Sequence, residues 1–163
     1  MKIKNDFLIQ QGILDCQIDQ LINFSNTDSE IIKNTSDSIR FKDLKAFNNW
    51  LHKGKIIYTL TDKNHNLLGI VWFGHKEAPV KTNANFTFAI RIYPPARGQG
   101  LSFDFMKSTF NDLLKSKEES KISGFWLETS IDNWPAIKTY EKFGFRKISD
   151  SVNNNKVIMV LEK

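Results

Sequence analysis

The hydrophobic positions of the chain follow two periods, and the changes between them mark the predicted elements. Runs rich in β-forming residues predict strands at 7–11, 55–62, 67–75, 85–93, 122–130, 145–149 and 156–163. Apolar residues spaced by three and four positions predict helices over about 13–24, 41–52, 101–114 and 135–143. The polar run 25–38 is predicted to be a loop, and residues 152–155 are predicted to be the turn of a final hairpin.

The resulting order, β-α-α-β-β-β-α-β-α-β-β, predicts one mixed α/β domain over residues 1–163, because neither an internal repeat nor a linker interrupts it. The length and a hydrophobic share of 40% suffice for one core. The single cysteine, Cys16, allows no internal disulfide, and we interpret it as a small buried side chain.

The charge of the chain narrows the partners only slightly. The net charge of +5 comes from dispersed lysines that form no basic stripe, so we do not expect a nucleic-acid partner. The same charge favours recruitment of an anionic cofactor. No apolar run is long enough to span a membrane, and residues 1–10 lack the pattern of a secretory signal. We therefore expect a soluble, cytoplasmic protein without a membrane partner.

One short segment, 92–106 (IYPPARGQGLSFDFM), carries the clearest chemical signal. Its two prolines end a strand, and Gly98 and Gly100 permit backbone conformations and a ligand approach that a Cβ would prevent. The helix predicted from Leu101 leaves its first N–H groups unpaired at the positive end of its dipole. Arg97 adds a guanidinium that suits phosphate oxygens. The segment therefore predicts an anion site, with an ordinary tight turn as the structural alternative.

Two common phosphate-binding patterns do not fit this turn. The P-loop pattern needs Lys followed by Ser or Thr after its last glycine, and no such pair follows Gly100. The dinucleotide fingerprint needs a third glycine for close helix packing, where this chain has Phe103. The glycines alone therefore leave the ligand open.

A family resemblance makes the signal specific. The segment ARGQGLS resembles the pyrophosphate loop of the GNAT superfamily of acyl-CoA-dependent N-acetyltransferases, and DNWPAIKTYEKFGF resembles a later segment of that family. Both lie in the expected elements and order, and the specific residues fall between Ile90 and Phe145. Ser102 departs from the family pattern, which prefers glycine or alanine there, so we expect a slightly more crowded loop.

The resemblance implies a fold and a co-substrate. The fold would be a central, mostly antiparallel sheet of six to seven strands, with helices on both faces and a splayed parallel fourth and fifth strand at 86–93 and 122–130. Acetyl-CoA would lie where these strands part, and no metal is implied. The residues implied to contact it are Ile90, Arg91 and Ile92 (main chain, pantetheine), Arg97, Gly98, Gln99, Gly100, Leu101 and Ser102 (amides, pyrophosphate), Asn133 (pantetheine or turn) and Tyr140.

The resemblance also implies catalytic roles. Tyr140 would be the general acid that protonates the leaving thiolate, because a phenol remains protonated at neutral pH. Glu128, or a water chain, would remove the proton of the amine, and an N–H near Ile92 would stabilise the oxyanion. Each residue has a structural alternative: Tyr140 as a half-buried core residue, Glu128 as a solvent-facing or lysine-paired carboxylate, and Arg97 as a solvated cation.

The implied activity is transfer of an acetyl group to a primary amine by direct attack in a ternary complex. Two alternatives stay open: a non-catalytic acyl-CoA-binding or regulatory domain, and a toxin-like enzyme that acetylates aminoacyl-tRNA. The sequence does not select the acceptor among small-molecule amines, peptide N-termini, lysine side chains and antibiotics. Members of the family often form homodimers through their C-terminal strands, so a homodimer is a further expectation.

Overall fold

The structure, a computed structural model, describes residues 2–3, 7–151 and 155–163. Its seven longer strands are β1 (Phe7–Gln11), β2 (Ile56–Thr61), β3 (Leu67–His75), β4 (Phe86–Ile92), β5 (Gly124–Ser130), β6 (Arg146–Ser151) and β7 (Lys156–Glu162). Its helices are α1 (Asp15–Thr27), α2 (Ser29–Asn34), α3 (Asp37–Arg40), α4 (Leu44–Leu51), α5 (Leu101–Leu113) and α6 (Trp134–Phe143). Two short 3-10 turns, Pro94–Ala96 and Glu119–Lys121, flank α5.

The described strands form one mixed sheet in the order Lys2–Ile3, β1, β2, β3, β4, β5, β7, β6. Neighbouring strands are antiparallel except β4 and β5, which run parallel. This arrangement confirms the predicted, mostly antiparallel sheet with a parallel fourth and fifth strand. The sheet has eight strands rather than six or seven, because the two-residue segment Lys2–Ile3 adds an edge strand beside β1.

Helices cover both faces of this sheet, as predicted. On one face α5 and α6 pack over an aromatic core that includes Phe73, Phe88 and Phe110. On the other face α1 to α4 pack over a second core that includes Trp72. Successive side chains of a strand point to opposite faces, so β4 supplies Phe88 to the first core and Ala89 to the second.

Two predictions about the helices are wrong. The polar run 25–38 is mostly helical, because it contains the end of α1, the whole of α2 and the start of α3. Asp28 caps α2 by accepting a hydrogen bond from the Glu30 N–H at 3.1 Å, which favours a helix where no apolar stripe predicts one. The helix predicted from residue 41 begins instead at Leu44, because Asp43 caps it through the Ala46 N–H at 2.7 Å.

The prediction that Cys16 is buried is also wrong, because its side chain is exposed. The buried positions of α1 are Gln17, Leu21 and Ser25, spaced by four, and Cys16 lies outside this stripe. The predicted turn at 152–155 falls largely on residues 152–154, which lie outside the described residues. None of the described helices is long and apolar enough to cross a membrane.

Candidate functional site

Strands β4 and β5 separate after a short paired start. The pairing between them joins Phe86 to Phe125 and Thr87 to Trp126, whereas β3 stays paired along the whole of β4. Beyond these two pairs the strands diverge, and a cleft of about 940 Å³ opens between them. Residues from both faces of the sheet line this cleft, which we call the split.

The backbone of β4 offers hydrogen-bonding groups to the split at alternate residues. The ladder between β3 and β4 includes the bond from the Tyr93 N–H to the Leu68 carbonyl, at 2.9 Å. Because hydrogen-bonded pairs alternate along an antiparallel ladder, Arg91 directs its backbone groups to β3, whereas Ile90 and Ile92 direct theirs into the split. Ile90, Arg91 and Ile92 are all predicted to offer main-chain groups to a ligand. Only Ile90 and Ile92 can do so, because the Arg91 main chain faces β3, and Arg91 contributes its side chain to the split instead.

The wall of the split on the side of α5 and α6 is apolar. We call it the aromatic wall, formed by Phe88, Leu127, Ala136 and Tyr140. The Tyr140 ring meets Phe88 edge-on at 6.2 Å between centroids, and only 7% of the residue is exposed. Its hydroxyl makes no hydrogen bond within the described part of the chain. Burial raises the pKa of this hydroxyl above its usual value, although Arg91 opposes the shift.

The opposite wall, on the side of α1 to α4, carries charges around two tryptophans. We call it the charged wall, formed by Arg40, Trp72, Lys76, Arg91, Trp126, Glu128 and Lys156. The fully buried Asp37 accepts hydrogen bonds from Arg91, at 2.6 Å from Nε and 3.2 Å from Nη2, and another from Arg40. Both guanidinium groups lie over the Trp72 ring, at 4.9 Å and 5.6 Å from its centroid. One buried carboxylate therefore fixes two cations at this wall.

The two predicted catalytic residues lie on opposite walls. Glu128 lies two residues after Trp126 on β5, so its side chain points to the charged wall, away from Tyr140. The Glu128 carboxylate pairs with Lys156 on β7, and 37% of its side chain is exposed. Its contacts are those of the lysine-paired carboxylate given above as its structural alternative.

The glycine turn has the conformation that its sequence predicts. Gly98 and Gly100 have φ angles of 75° and 70°, in the left-handed region that favours glycine. The amides of residues 98–102 have no hydrogen-bond acceptor among the described residues, and α5 begins directly after Gly100. The Arg97 amide differs from the prediction, because it donates to the Pro94 carbonyl at 3.3 Å. Five successive free amides at a helix start fit the oxygens of a diphosphate.

The side chain of Arg97 is held by the protein itself. Both terminal nitrogens donate to the Asp28 carboxylate, one at 3.0 Å, and Nε donates to the Ile92 carbonyl at 2.9 Å. Glu30 lies 3.6 Å from the same guanidinium. Arg97 therefore joins the start of α2 to the end of β4, and its predicted phosphate contact requires a shared or exchanged hydrogen bond.

Asn133 lies at the start of α6 and lines the split. Its backbone N–H donates to the Ser130 carbonyl at 3.0 Å, and its side-chain Nδ2 lies 3.4 Å from the Thr129 hydroxyl oxygen. These contacts correspond to the turn-holding role, and the pantetheine contact stays a prediction. Within the described ranges, no group of three or more His, Cys, Asp or Glu side chains could hold a metal ion.

Sequence reasoning missed the two buried acids that organise the split, Asp28 and Asp37. The polar run 25–38 shows them only as helix-capping residues. Their arginine partners, Arg97 and Arg91, lie 69 and 54 residues further along the chain. No local pattern indicates such long-range ion pairs.

Two of three comparisons with known proteins give matches, and these agree with the fold. The sequence matches a model of the acetyltransferase (GNAT) family over residues 18–145. A comparison with curated proteins gives no match. The structure is similar to that of spermidine N-acetyltransferase from Vibrio cholerae in complex with CoA and spermine, with a TM-score of 0.75 and 15% identity, over 97% of this chain and 95% of that chain.

Two further solved structures show the same likeness. A dodecameric structure of spermidine N-acetyltransferase from Vibrio cholerae has a TM-score of 0.68 and 16% identity, over 97% of this chain and 93% of that chain. Ribosomal-protein-S5-alanine acetyltransferase from Vibrio fischeri has a TM-score of 0.67 and 12% identity, with coverage of 97% and 93%. Identities this low establish only the shared fold. The match to the family model is the stronger finding for the sequence, because it covers residues 18–145.

Proposed function

Because the chain belongs to the GNAT family of acetyltransferases, we propose that it transfers an acetyl group from acetyl-CoA to a primary amine inside the split. One observation carries the proposal. The split joins a turn of free amides, the unpaired N–H groups of Ile90 and Ile92 on the edge of β4, and the Tyr140 hydroxyl, which has no partner among the described residues. Together these groups suit a diphosphate, an extended amide chain and a leaving thiolate.

The residues proposed to bind the co-substrate lie along the mouth and edge of the split. The amides of residues 98–102 bind the diphosphate, with the α5 dipole behind them. The N–H groups of Ile90 and Ile92 donate to the pantetheine arm as those of a neighbouring strand would, whereas their carbonyls already accept from the Arg91 and Arg97 side chains, each at 2.9 Å. Asn133 lies opposite this edge, on the rim beside α6. The fit requires no rearrangement of the sheet, because β4 and β5 are already apart.

The chemistry needs a base, an oxyanion donor and an acid. The neutral amine attacks the thioester carbon and forms the C–N bond, so that the carbonyl oxygen gains charge; the C–S bond then breaks, and the amine nitrogen loses one proton. A β4 amide at Ile90 or Ile92 donates to the carbonyl oxygen as it gains charge. Tyr140 gives its proton to the departing sulfur, because its raised pKa keeps it protonated.

We propose Glu128 as the residue that receives the amine proton, directly or through a water chain. Its carboxylate lies on the charged wall, from which the acceptor approaches, whereas Tyr140 lies on the aromatic wall. The Glu128 carboxylate pairs with Lys156 and keeps 37% of its side chain exposed, so a water chain can connect it to the amine. The acid and the base then act from the two sides of the split.

The acceptor class rests on the names of the structural neighbours and on the charged wall. One neighbour acts on spermidine and another is named for ribosomal-protein S5 alanine, so an amine acceptor is common to them. We therefore propose a small-molecule or peptide amine for this chain. A dodecamer is described for one neighbour. For this chain we propose a homo-oligomer, with a homodimer as the simplest form.

A thiol-release assay with acetyl-CoA and a panel of amines tests the proposal. Release of CoA that depends on the amine supports it, whereas CoA binding without release from any amine supports the non-catalytic alternative. Acetylation confined to aminoacyl-tRNA would favour the toxin-like alternative.

Removal of the Tyr140 hydroxyl tests the role of the acid. We expect Tyr140→Phe to lower kcat about a hundredfold, with CoA affinity intact, because proton donation to the thiolate is lost. Tyr93→Phe is the matched control, because Tyr93 is also buried, its hydroxyl has no partner among the described residues, and it does not line the split. Equal kcat values for the two variants would remove Tyr140 from the mechanism.

A further inference from the structure

Two cations of the charged wall, Arg40 and Lys76, lie near the closed end of the split, and a third cation, Lys55, lies on the same face of the sheet outside the lining. Arg40 lies over the Trp72 ring, and the Lys76 ammonium lies 5.3 Å from the centroid of Trp126. Lys55 lies along β3 beside them, because a Cβ built on Gly74 would lie only 2.6 Å from its Nζ. We call Arg40, Lys55 and Lys76 the cationic cluster. Lys55 and Lys76 lie at the level where β4 and β5 are still paired, and Arg40 lies just beyond that level.

The members of the cationic cluster repel one another. Burial lowers the pKa of Lys55, and the nearby charges of Lys76, Arg40 and Lys53 lower it further. Like charges in a partly buried site raise the free energy of the folded state unless an anion lies among them. The surrounding structure therefore holds an unfavourable arrangement that a bound anion would relieve.

The acids of this wall do not neutralise the cluster. Asp37 is shared by Arg40 and Arg91, and Glu128 is paired with Lys156. Neither Lys55 nor Lys76 has a carboxylate within 4.0 Å among the residues that the structure describes. Glu77 lines the same end of the split and has no cationic partner in that part of the chain. Glu77 is thus the one free acid that the described residues place at this end of the split, against two unpaired lysines, Lys55 and Lys76, and an arginine, Arg40, that shares Asp37 with Arg91.

We propose that the cationic cluster binds an anionic group, a carboxylate or a phosphate, that the acceptor carries in addition to its amine. The inference rests on the proposed acetyl transfer and names the class of its acceptor. Trp72 and Trp126 flank the cluster, and the partial burial of Arg40 and Lys55 strengthens their attraction to an anion, whereas Lys76 is exposed. A second ammonium group on the acceptor would meet the same cations and be repelled.

The cationic cluster also helps the amine to react. A positive site disfavours the protonated form of the incoming amine, so its nitrogen enters the split neutral and able to attack. The anionic group then fixes the orientation of the acceptor while the amine reaches the thioester. Acceptor choice and amine activation therefore depend on the same three side chains.

The test compares acceptors that differ only in the charge at the far end. γ-Aminobutyrate, its amide and putrescine carry a negative, neutral and positive group on the same carbon chain, and phosphoethanolamine against ethanolamine supplies the phosphate arm. We expect kcat/KM to be about tenfold higher for an anionic amine than for its neutral counterpart, and lowest for putrescine. A preference for carboxylate over phosphate, or the reverse, identifies the anion. A preference for putrescine or for the neutral amines overturns the inference.

A matched pair of lysine variants localises the effect. Lys76→Gln should reduce the ratio of anionic to neutral kcat/KM several-fold, because one cation of the cluster is lost. Lys81→Gln, an exposed position on the same β3–β4 connection that does not line the split, should leave the ratio unchanged. An equal change in both variants would contradict a bound anion at the cluster.

A binding measurement separates this inference from the proposed reaction. Trp72 and Trp126 lie at the cluster, so tryptophan fluorescence in the presence of CoA reports binding without turnover. Saturation by the anionic amines at lower concentration than by putrescine, lost in Lys76→Gln, supports the anion site even if no CoA is released. Turnover of amines without any such preference leaves the acetyl transfer standing and rejects the anion site.

Discussion

The two walls of the split are built in different ways. The aromatic wall consists of apolar side chains that each element presents at its own regular spacing, and Tyr140 is the polar tip of that surface. The charged wall depends on pairs that join distant segments, because Asp37 binds Arg91 across 54 residues. We therefore expect the first wall to tolerate the loss of one hydroxyl and the second to depend on a single buried carboxylate.

The largest effect is expected from Asp37→Asn. Arg91, whose side chain is only 15% exposed, would then lie beside a neutral amide, and Arg40 would lose the same partner. Breaking a buried ion pair from one side costs about 3 kcal/mol of folding free energy. Urea unfolding measures this loss. Asp43→Asn, an exposed helix cap, is the control, with an expected loss of only about 0.5 kcal/mol, because Asn caps a helix nearly as well as Asp and only the charge at the helix start is lost.

A loss below about 1 kcal/mol for Asp37→Asn would contradict the role given to this carboxylate. The Tyr140→Phe variant sharpens the comparison, because its stability should stay close to that of the unchanged chain while its turnover falls. Loss of the Asp37 charge would then lower mainly the stability of the fold, and loss of the Tyr140 hydroxyl mainly the turnover.

Features that depend on neighbouring residues could be predicted from the sequence, whereas features that depend on distant residues could not. Alternation within 85–93 predicts β4, and the glycines of segment 92–106 predict a turn with positive φ, because both features depend on neighbours in the chain. Helices α2 and α3 were missed because six and four residues are too short to show an apolar stripe.

The ion pairs of Asp28 and Asp37 could not be predicted, because nothing local distinguishes a buried acid from an exposed cap. The exposure of Cys16 shows the converse limit. Cysteine is usually buried, but the position of Cys16 beside the buried stripe of α1 leaves its side chain exposed. That stripe is hard to recognise in the sequence, because it begins with a polar residue, Gln17. Gln17 is buried because its side chain accepts from the Leu14 N–H at 3.1 Å and donates to the His65 carbonyl at 3.1 Å.

The second prediction concerns the mouth of the split. Gly100→Ala and Gly54→Ala place a Cβ at nearly the same left-handed φ, 70° and 69°, and neither Cβ meets an atom within 4 Å. Both variants should lose about 1 kcal/mol of stability. Only Gly100→Ala should weaken CoA binding, about tenfold in a calorimetric titration, because its Cβ stands among the amides of residues 98–102. Equal CoA affinities would reject the turn as the diphosphate site.

A smaller effect is expected where Arg97 is held. Asp28→Asn weakens the ion pair that occupies the guanidinium, so Arg97 becomes available to phosphate oxygens. We expect CoA to bind about threefold more tightly, measured by calorimetry. Glu30→Gln is the control, because Glu30 lies 3.6 Å from Arg97 and is more exposed. Weaker CoA binding in Asp28→Asn would show that the ion pair itself shapes the site.

The smallest effect concerns pH. Burial raises the pKa of Tyr140, so the proton donor is present at neutral pH and is lost only as pH rises beyond the usual tyrosine range. The value of kcat should therefore show no fall between about pH 7 and pH 9.5. A falling limb within that range that disappears in Tyr140→Phe would contradict the raised pKa.

A crystal structure of the protein with CoA tests the central claim most directly, because that claim is that the co-substrate enters along the aromatic wall and meets the acceptor in the split. We predict the diphosphate on the amides of residues 98–102, the pantetheine arm beside Ile90 and Ile92, and the sulfur within about 4 Å of the Tyr140 oxygen. A diphosphate bound to the cationic cluster, or a sulfur outside the split, would contradict the account.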